Sequence, residues 1–438
     1  MIPVVIIGGG ATGSIVALHL RSLLPDVEQV VVVEPKAELG RGLAYSTDGE
    51  EHRINVPAHK MSARSAEPLD FANWLTTHIG AAPTPNSDRY PPRLLFGKYI
   101  GGLVSPLLER GELLHLKARV THLDGEGPFT LVMDNGATLR ASKVVIATSH
   151  PPPALPRGLS AGPAVVINPW AAGAFDRIGN SDRVAIIGTG LTMADVVAQL
   201  TKRGHQGKIV AFSRRGLRSR SHANKAEETS IRFKSDTALS LLQEIRRTIL
   251  GKARWQDVID AVRKQGAEIW ARLPLAEKRR LIRHLRPFWD VHRFRVAPQI
   301  DSLLDVRIAN KTLEITAARL VKVTEHLRLQ LQTRRQDTRF LEVDWIVNAT
   351  GPDHAGLVRE TGFLKDLAQR GIVAPDPTSL GLHTSRQYRA VGQEHLFIAG
   401  PLARGTFGEL MGFPEITQHA EACAQAIAQT LVQGRVGP

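Results

Sequence analysis

The stretch VVIIGGGATG, from Val4 to Gly13, decides the fold of the first part of the chain. Its apolar run predicts a buried strand, and the glycines that follow have the spacing Gly8-x-Gly10-x-x-Gly13. In this spacing the first glycine permits a tight turn, the second lets a pyrophosphate approach, and the third lets the next helix pack closely on the strand. The helix N-terminus would then direct unpaired N–H groups at the phosphates. The stretch therefore predicts a dinucleotide-binding βαβ unit.

The second strand of this unit ends in Glu34, which stands where a carboxylate would accept hydrogen bonds from the hydroxyls of an adenosine ribose. A carboxylate there would also repel a 2′-phosphate. Between the second and third glycines, Ala11 and Thr12 are predicted to contact the cofactor. The first unit is thus expected to bind a dinucleotide without a 2′-phosphate.

A second unit of the same kind begins at Gly188 and continues through Gly190, Leu191 and Thr192, but Met193 replaces the third glycine. Its second strand ends in Arg214 and Arg215 rather than in an acid. Two guanidinium groups suit a 2′-phosphate by charge and by fork geometry, so this unit is predicted to prefer NADPH over NADH. The alternative is a solvated basic turn.

Two strand ends are typical of the connections that pass between the domains of flavoproteins with two dinucleotide sites. The first contains Ala147 and Thr148, followed by Ser149 where a glycine is usual, and the second contains Thr350 and Gly351. Together with the two glycine turns, they predict an α/β protein with two Rossmann-like, two-dinucleotide-binding domains. The expected FAD-binding domain is discontinuous, over residues 1–165 and 325–438. The expected NADP-binding domain covers residues 166–324 and includes a basic helical segment at 223–298.

Composition excludes several classes of protein. The 438 residues contain one cysteine, Cys423, so the chain cannot form a CxxC pair, an internal disulfide or a cysteine metal cage. This excludes the flavoprotein disulfide reductases, which need two thiols, and no metal site is expected. The sequence contains neither an apolar run of membrane-spanning length nor a secretory signal at its start, so a cytoplasmic location is expected.

The net charge of +14 belongs to one region. Residues 201–300 contain 24 Lys and Arg against 9 Asp and Glu, whereas the remainder is nearly neutral. A solvated helix face is one interpretation of this segment, and steering of NADPH or of an anionic substrate is another. Nucleic-acid binding is a third, but it is disfavoured because aromatic stacking positions are sparse and no RNA-binding motif occurs.

Several further blocks make the chain resemble a bacterial family of FAD/NAD(P)-binding oxidoreductases. These blocks are ELGRGLAYS (38–46), HRINVPA (52–58), IIGTGLTMAD (186–195), WDVHRFR (289–295) and AGPLARGTFGELMGFPEI (399–416). The family is related to the class B and N-hydroxylating flavin monooxygenases, and it includes members similar to FAD-dependent urate hydroxylase. The resemblance covers nearly the whole chain.

The resemblance implies FAD at the first glycine turn, NADPH at the second, and a set of further cofactor contacts. Gly40, Arg41 and Gly42 would form a loop toward the flavin, with Asn55 and Val56 beside it. Val120 would offer its backbone to the adenine. At the C-terminal end, Gly400 and Pro401 would approach the ribityl phosphate, and the helix beginning near Glu415 and Ile416 would aim its N-terminus at the isoalloxazine.

Candidate catalytic residues are few, and the sequence does not identify a general base. They are His222, His292, Arg293 and Glu409, each of which could instead have a structural role. The resulting hypothesis is an NADPH-dependent FAD monooxygenase that uses molecular oxygen and a flavin hydroperoxide to hydroxylate a small polar molecule, nitrogenous or anionic.

Two alternatives remain open at this point. One is an NADPH-dependent flavin reductase that passes electrons to a quinone, an iron chelate or a protein. The other is an FAD-dependent RNA-binding or RNA-modifying protein. The sequence leaves the substrate and the oligomeric state open.

Overall fold

The computed structural model describes residues 1–26, 29–47, 49–79, 90–148, 151–223, 230–251, 253–353, 356–360 and 362–435. Within them lie fourteen strands, numbered in chain order. They are β1 (Ile2–Ile7), β2 (Val30–Val33), β3 (Leu113–Leu116), β4 (Val120–Asp124), β5 (Phe129–Met133), β6 (Thr138–Ile146), β7 (Val165–Val166), β8 (Val184–Ile187), β9 (Ile209–Ser213), β10 (Leu313–Thr324), β11 (Arg328–Thr333), β12 (Thr338–Glu342), β13 (Trp345–Asn348) and β14 (Leu396–Ile398).

The same residues contain fourteen α-helices. They are α1 (Ala11–Leu23), α2 (Asp70–Ile79), α3 (Arg93–Glu109), α4 (Leu191–Lys202), α5 (Ala238–Leu250), α6 (Trp255–Lys264), α7 (Gly266–Arg272), α8 (Leu275–His284), α9 (Arg286–Arg293), α10 (Pro298–Ala309), α11 (Leu357–Glu360), α12 (Gly362–Gln369), α13 (Arg404–Phe407) and α14 (Glu415–Arg435). No helix of the described residues combines the length and the apolar character that a membrane crossing requires.

Two seven-stranded sheets organise the chain. In the first, the order β3-β2-β1-β6-β5-β4 is completed by β14, which pairs with β6. In the second, the order is β12-β11-β10-β9-β8-β13-β7. The central strands β1 and β8 are buried on both faces, which explains why their sequences are continuous apolar runs. The prediction of an α/β protein with two Rossmann-like units is confirmed.

The predicted domain boundary at residues 324 and 325 falls inside the second sheet. Strand β11 pairs antiparallel with β10 on one side and with β12 on the other, and β13 lies parallel to β8. The second sheet therefore extends from Val165 to Asn348, across the predicted boundary. The sequence did not reveal this because β11 and β12 form a hairpin that could belong to either sheet.

Two elements differ from what the apolar pattern of the sequence predicts. That pattern predicts that strands resume near Leu303, but this residue lies in α10, whose Ile300 and Leu304 are buried at helical spacing. The same pattern predicts one strand over Leu113–Leu123, but this stretch forms β3 and β4. A turn separates them, because Ala118 N–H donates to the Leu116 carbonyl, and the two strands lie at opposite edges of the first sheet.

The basic helical segment has a small core of its own. Side chains including Phe233, Leu241, Val258 and Val262 pack together between α5, α6 and α7. Many of its arginines form ion pairs within the protein, such as Arg295 with Asp260 at 2.9 Å and Arg254 with Asp257 at 2.7 Å. Part of the excess positive charge is therefore used in internal contacts rather than presented to a partner.

Candidate active site

The first glycine turn forms a cradle at the carboxyl end of β1. Gly8 has φ +104°, and a Cβ there would lie 2.6 Å from the Ala147 carbonyl oxygen. A Cβ on Gly13 would lie 1.9 Å from the Gly8 carbonyl oxygen. Gly10 is the N-cap residue of α1, so no capping side chain accepts from the N–H groups of the first turn. Ala11 and Thr12 line the adjoining cleft. The turn thus leaves space and N–H donors where the sequence predicts a pyrophosphate.

Glu34 lines the same cleft at the end of β2. Its Oε2 accepts from the Gly9 N–H at 2.9 Å, and its Oε1 accepts from the Lys36 N–H at 3.1 Å. These two bonds hold the carboxylate beside the glycine turn, where it can also accept from ribose hydroxyls.

The loop from Gly40 to Gly42 closes one side of the cleft. Gly40 has φ +90°, and its N–H donates to the Gly9 carbonyl at 2.9 Å. A Cβ on Gly42 would lie 3.1 Å from the Cα of Gly10, so the loop passes directly beside the first turn. Arg41 lines the cleft and forms an ion pair with Glu38 at 2.6 Å.

The two interdomain connections meet at this cleft. Ala147, Thr148 and Gly351 line it, and Thr350 and Gly351 also line the cleft of the second unit. The Oγ1 of Thr148 is buried without a hydrogen-bond partner in the structure. An orphaned hydroxyl beside an open glycine cradle fits a bound dinucleotide, which would supply the missing partner. Ser149 lies outside the described residues.

The C-terminal segment completes the first cleft. A Cβ on Gly400 would lie 2.7 Å from the Thr12 Cγ2, and Pro401 and Ile416 line the cleft. Glu415 begins α14, but its carboxylate pairs with Arg263 at 2.6 Å. Val120, for which a backbone contact with adenine is predicted, is buried in β4 and does not line this cleft.

The second glycine turn repeats the first at the end of β8. Gly188 has φ +119°, and a Cβ there would lie 2.3 Å from the Ala349 carbonyl oxygen. Gly190 faces open space, and Leu191 and Thr192 line the cleft in front of it. Arg214 lines this cleft, whereas the Arg215 guanidinium lies 5.0 Å from the centre of the Phe288 ring. The two side chains therefore lie in different surroundings, Arg214 at the cleft and Arg215 against Phe288.

The clefts of the two units adjoin, and together they form the candidate active site. The cleft of the second unit has a volume of about 880 Å3. Several residues line both clefts, among them Tyr45, Arg93, Trp170, Met411 and Phe413. Asn55 and Val56 lie on the wall of the second cleft. Ligands in the two cradles would therefore meet at these shared residues.

Arg93 was not predicted from the sequence, yet it holds the junction between the units. Its guanidinium pairs with buried Asp195 of α4 at 2.9 Å and lies 5.8 Å from the centre of the Trp170 ring. Burial raises the pKa of Asp195 and lowers the pKa of His52, whose ring packs against Trp170. The sequence signal for this contact is Asp195. It is an acidic residue on the buried side of α4, and a buried carboxylate requires a cationic partner.

Two of the four catalytic candidates form an ion pair with each other. Arg293 lies 2.8 Å from Glu409, and burial lowers the pKa of the arginine. Because α9 carries Arg293 and the C-terminal loop carries Glu409, this contact fixes the helical segment to the flavin side of the protein. The sequence proposed both residues for chemistry, and in the structure they form a buried ion pair.

The two histidine candidates lie apart from each other. The Nε2 of His222 is 3.2 Å from the Asn55 carbonyl, and its ring packs on Tyr90. The Nδ1 of His292 is 2.7 Å from the Phe288 carbonyl within α9. In the described residues, no group of three His, Cys, Asp or Glu side chains has the arrangement of a metal site.

The family comparison matches the first unit. Residues 5–151 match the family described as FAD-NAD(P)-binding. This match covers about the N-terminal third of the chain. No curated protein matches the chain in sequence.

Solved structures match this domain and the rest of the chain in fold. The reduced ornithine hydroxylase of Pseudomonas aeruginosa is 15% identical with a TM-score of 0.65, and the match covers 98% of this chain and all of that one. The ornithine N-hydroxylase of Kutzneria sp. 744, with reduced FAD, NADP+ and L-ornithine, is 18% identical with a TM-score of 0.66, covering 99% of this chain and all of that one.

The same fold also occurs in a thiol enzyme. The bacillithiol disulfide reductase of Bacillus cereus is 17% identical with a TM-score of 0.55, covering 98% of this chain and 99% of that one. At these identities the matches establish the fold with two dinucleotide-binding domains, which hydroxylases and disulfide reductases share. The chemistry must be argued from the residues of this chain.

Proposed function

We propose that the protein is an NADPH-dependent FAD monooxygenase that hydroxylates a small polar molecule, nitrogenous or anionic. The observation that carries the proposal is the meeting of two dinucleotide cradles at one cleft in a chain whose only cysteine is inaccessible. Cys423 lies in α14 with no exposed surface, and burial raises the pKa of its thiol. No accessible thiol can therefore accept the electrons that a nicotinamide supplies. The remaining electron acceptors are oxygen and an external molecule.

The residues of the chain would bind and position the reactants. FAD would lie along Gly8–Gly13 with its adenosine ribose at Glu34, and NADPH would lie along Gly188–Gly190 with its 2′-phosphate at Arg214. The domains would then cover residues 1–164 and 349–438 for FAD and residues 165–348 for NADPH. When bound, FAD would take electrons from NADPH and activate oxygen, so that one oxygen atom enters the substrate and the other becomes water.

Water exclusion would be the main contribution of the shared residues. Tyr45, Trp170 and Phe413 surround the place where the two clefts meet, and a dry pocket prevents loss of the reactive oxygen species to solvent. Burial raises the pKa of Tyr45, so its phenol stays protonated at neutral pH and can donate a hydrogen bond. The likeness to ornithine hydroxylases supports a nitrogenous substrate.

A second candidate function is an NADPH-dependent flavin reductase with an external electron acceptor. The pairing of Arg293 with Glu409 favours it, because two of the predicted catalytic groups are engaged with each other. RNA binding, the third alternative, has less support because many arginines of the basic segment have internal partners.

The experiment uses purified holoenzyme under air, with NADPH and a panel of amines, amino acids and purines. We expect one substrate class to stimulate NADPH oxidation and oxygen uptake. The amount of hydroxylated product, measured by mass spectrometry, should nearly equal the amount of NADPH oxidised. NADPH oxidation without hydroxylated product, accelerated by quinones or iron chelates, would establish the reductase instead. A salt-sensitive gel shift with tRNA would revive the RNA alternative.

A further inference from the structure

An apolar cavity of about 240 Å3 lies within the basic helical segment, beyond both glycine cradles. Helices α5 to α8 line it with apolar side chains, including Leu242, Val262, Trp270 and Ile282. Concave sites lined mainly by apolar side chains, with a few polar groups at one side, are typical of binding sites for small molecules. The cavity is therefore suited to hold an apolar ligand.

This cavity adjoins the candidate active site. Arg286, Asp290, Phe294 and Met411 line both the apolar cavity and the cleft of the second unit. Met411 also lines the cleft of the first unit, so the three spaces come together at this one side chain. An unbranched methionine adapts its shape to a neighbouring ligand more readily than a branched residue does.

The polarity of the cavity changes from one side to the other. Its charged side chains come from α9 and the C-terminal segment, and they include Arg286, Asp290 and Arg404. Arg286 and Asp290 form an ion pair at 3.5 Å. The charged side borders the cleft where the cofactors would meet, and the apolar side lies within the helices. This arrangement is complementary to a molecule with one polar end and one apolar end.

We propose that the substrate is amphipathic, with its nitrogenous head at the cleft beside Met411 and an alkyl chain in the cavity of the helical segment. The inference rests on the proposed function, since it concerns the substrate of the same site. An alkyl chain is favoured over an aromatic ring because aliphatic side chains predominate in the lining. The helical segment is thus the element that selects the substrate by chain length.

The test measures binding rather than turnover. Isothermal titration calorimetry of the holoenzyme with n-alkylamines from ethylamine to decylamine gives the affinity for each chain length. We expect the affinity to rise about four-fold for each added methylene until the cavity is full, and then to level off. The heat-capacity change of binding should become more negative over the same range, because apolar surface is being buried.

A filling substitution and a matched control locate the bound chain. Leu242→Phe should weaken octylamine binding about ten-fold and leave ethylamine binding unchanged, because the larger ring occupies part of the cavity. Ile282→Phe, on another wall, provides an independent filled variant. Leu239→Phe is the control, since Leu239 lies on α5, is 60% exposed and does not line the cavity.

An affinity that does not depend on chain length would overturn the proposal. The same conclusion follows if both filled variants fold normally, by circular dichroism, and bind octylamine as the wild type does. Chain-length-dependent binding without any hydroxylated product would support the cavity and contradict the monooxygenase, so the two proposals can fail separately.

Discussion

The two glycine turns of this protein share one geometry and differ in what surrounds it. In both, the first glycine has a positive φ and abuts the carbonyl of an interdomain connection, Ala147 for Gly8 and Ala349 for Gly188. At the third position, Gly13 touches the backbone of its own turn, whereas Met193 is fully buried in the second unit. The turn therefore requires a glycine at the first position. At the third position, a glycine is needed only where the helix packs closely on the turn that precedes it.

The largest expected functional effect, complete loss of FAD, comes from adding a methyl group at Gly13. Gly13→Ala would place a Cβ 1.9 Å from a backbone oxygen, so the helix must move away from β1. We expect the variant to purify without FAD. Its free energy of unfolding should be lower than that of the wild type by about 1–3 kcal/mol. The flavin absorbance after gel filtration and a urea titration provide the measurements.

The matched control is Gly190→Ala in the second unit. Gly190 has no neighbouring heavy atom within 4 Å of an added Cβ, and its φ is −90°. This variant should keep its fold and its FAD and lose only affinity for NADPH. Full FAD content in Gly13→Ala would show that the close packing at the third glycine is unnecessary.

The second prediction concerns the contact that joins the units. Arg93→Gln would leave buried Asp195 without its cation and should cost about 3–5 kcal/mol of unfolding free energy. Adding Asp195→Asn should recover much of this loss, because the uncompensated charge disappears. Chemical denaturation of the single and double variants measures both effects, and a double variant no better than Arg93→Gln would contradict this explanation.

The third prediction separates the two arginines at the end of β9. Arg214→Gln should raise the KM for NADPH about ten- to one-hundred-fold, with little change for NADH, because it removes the charge-assisted contact that we propose between Arg214 and the 2′-phosphate. Arg215→Gln should change the NADPH KM much less, since Arg215 lies on Phe288 instead of in the cleft. Equal effects in steady-state kinetics would mean that both arginines bind the phosphate.

The smallest expected effect is a pH dependence of stability that originates beneath the first unit. His419 is buried and accepts the Gly400 N–H at 3.2 Å, and burial lowers its pKa to about 3. Because the unfolded chain binds this proton more readily than the folded protein does, stability should fall below about pH 6.5, by about 1.4 kcal/mol at pH 5.5.

The pH effect is tested by urea titrations of the wild type and His419→Asn at pH 7.5 and 5.5. The variant should lose most of the difference between the two pH values. The control is His205→Asn beneath the second unit. Burial also lowers the pKa of His205, but its hydrogen bond to the Asp182 carbonyl opposes that shift, so His205 should contribute a smaller part. A wild-type difference that persists in His419→Asn would assign the effect to other groups.

Local sequence was sufficient to predict the two units. A buried apolar strand followed by Gly-x-Gly requires a tight turn, and this requirement depends on residues only a few positions apart. The boundary predicted at residues 324 and 325 separates the hairpin of β11 and β12 from β10, because a pairing partner cannot be identified from alternation alone. The same limit applies to α10, where a strand was predicted although the buried residues follow helical spacing.

The sequence by itself determined the turns, their order along the chain and the opposite charges at the two strand ends, Glu34 and Arg214. Only the tertiary structure decided which charged groups reach the clefts. Arg293 and Glu409, 116 positions apart, pair with each other, while Arg93 and Asp195 meet across the units. A charge in the interior requires a partner, and the partner is set by the packing of distant elements rather than by neighbours in the chain.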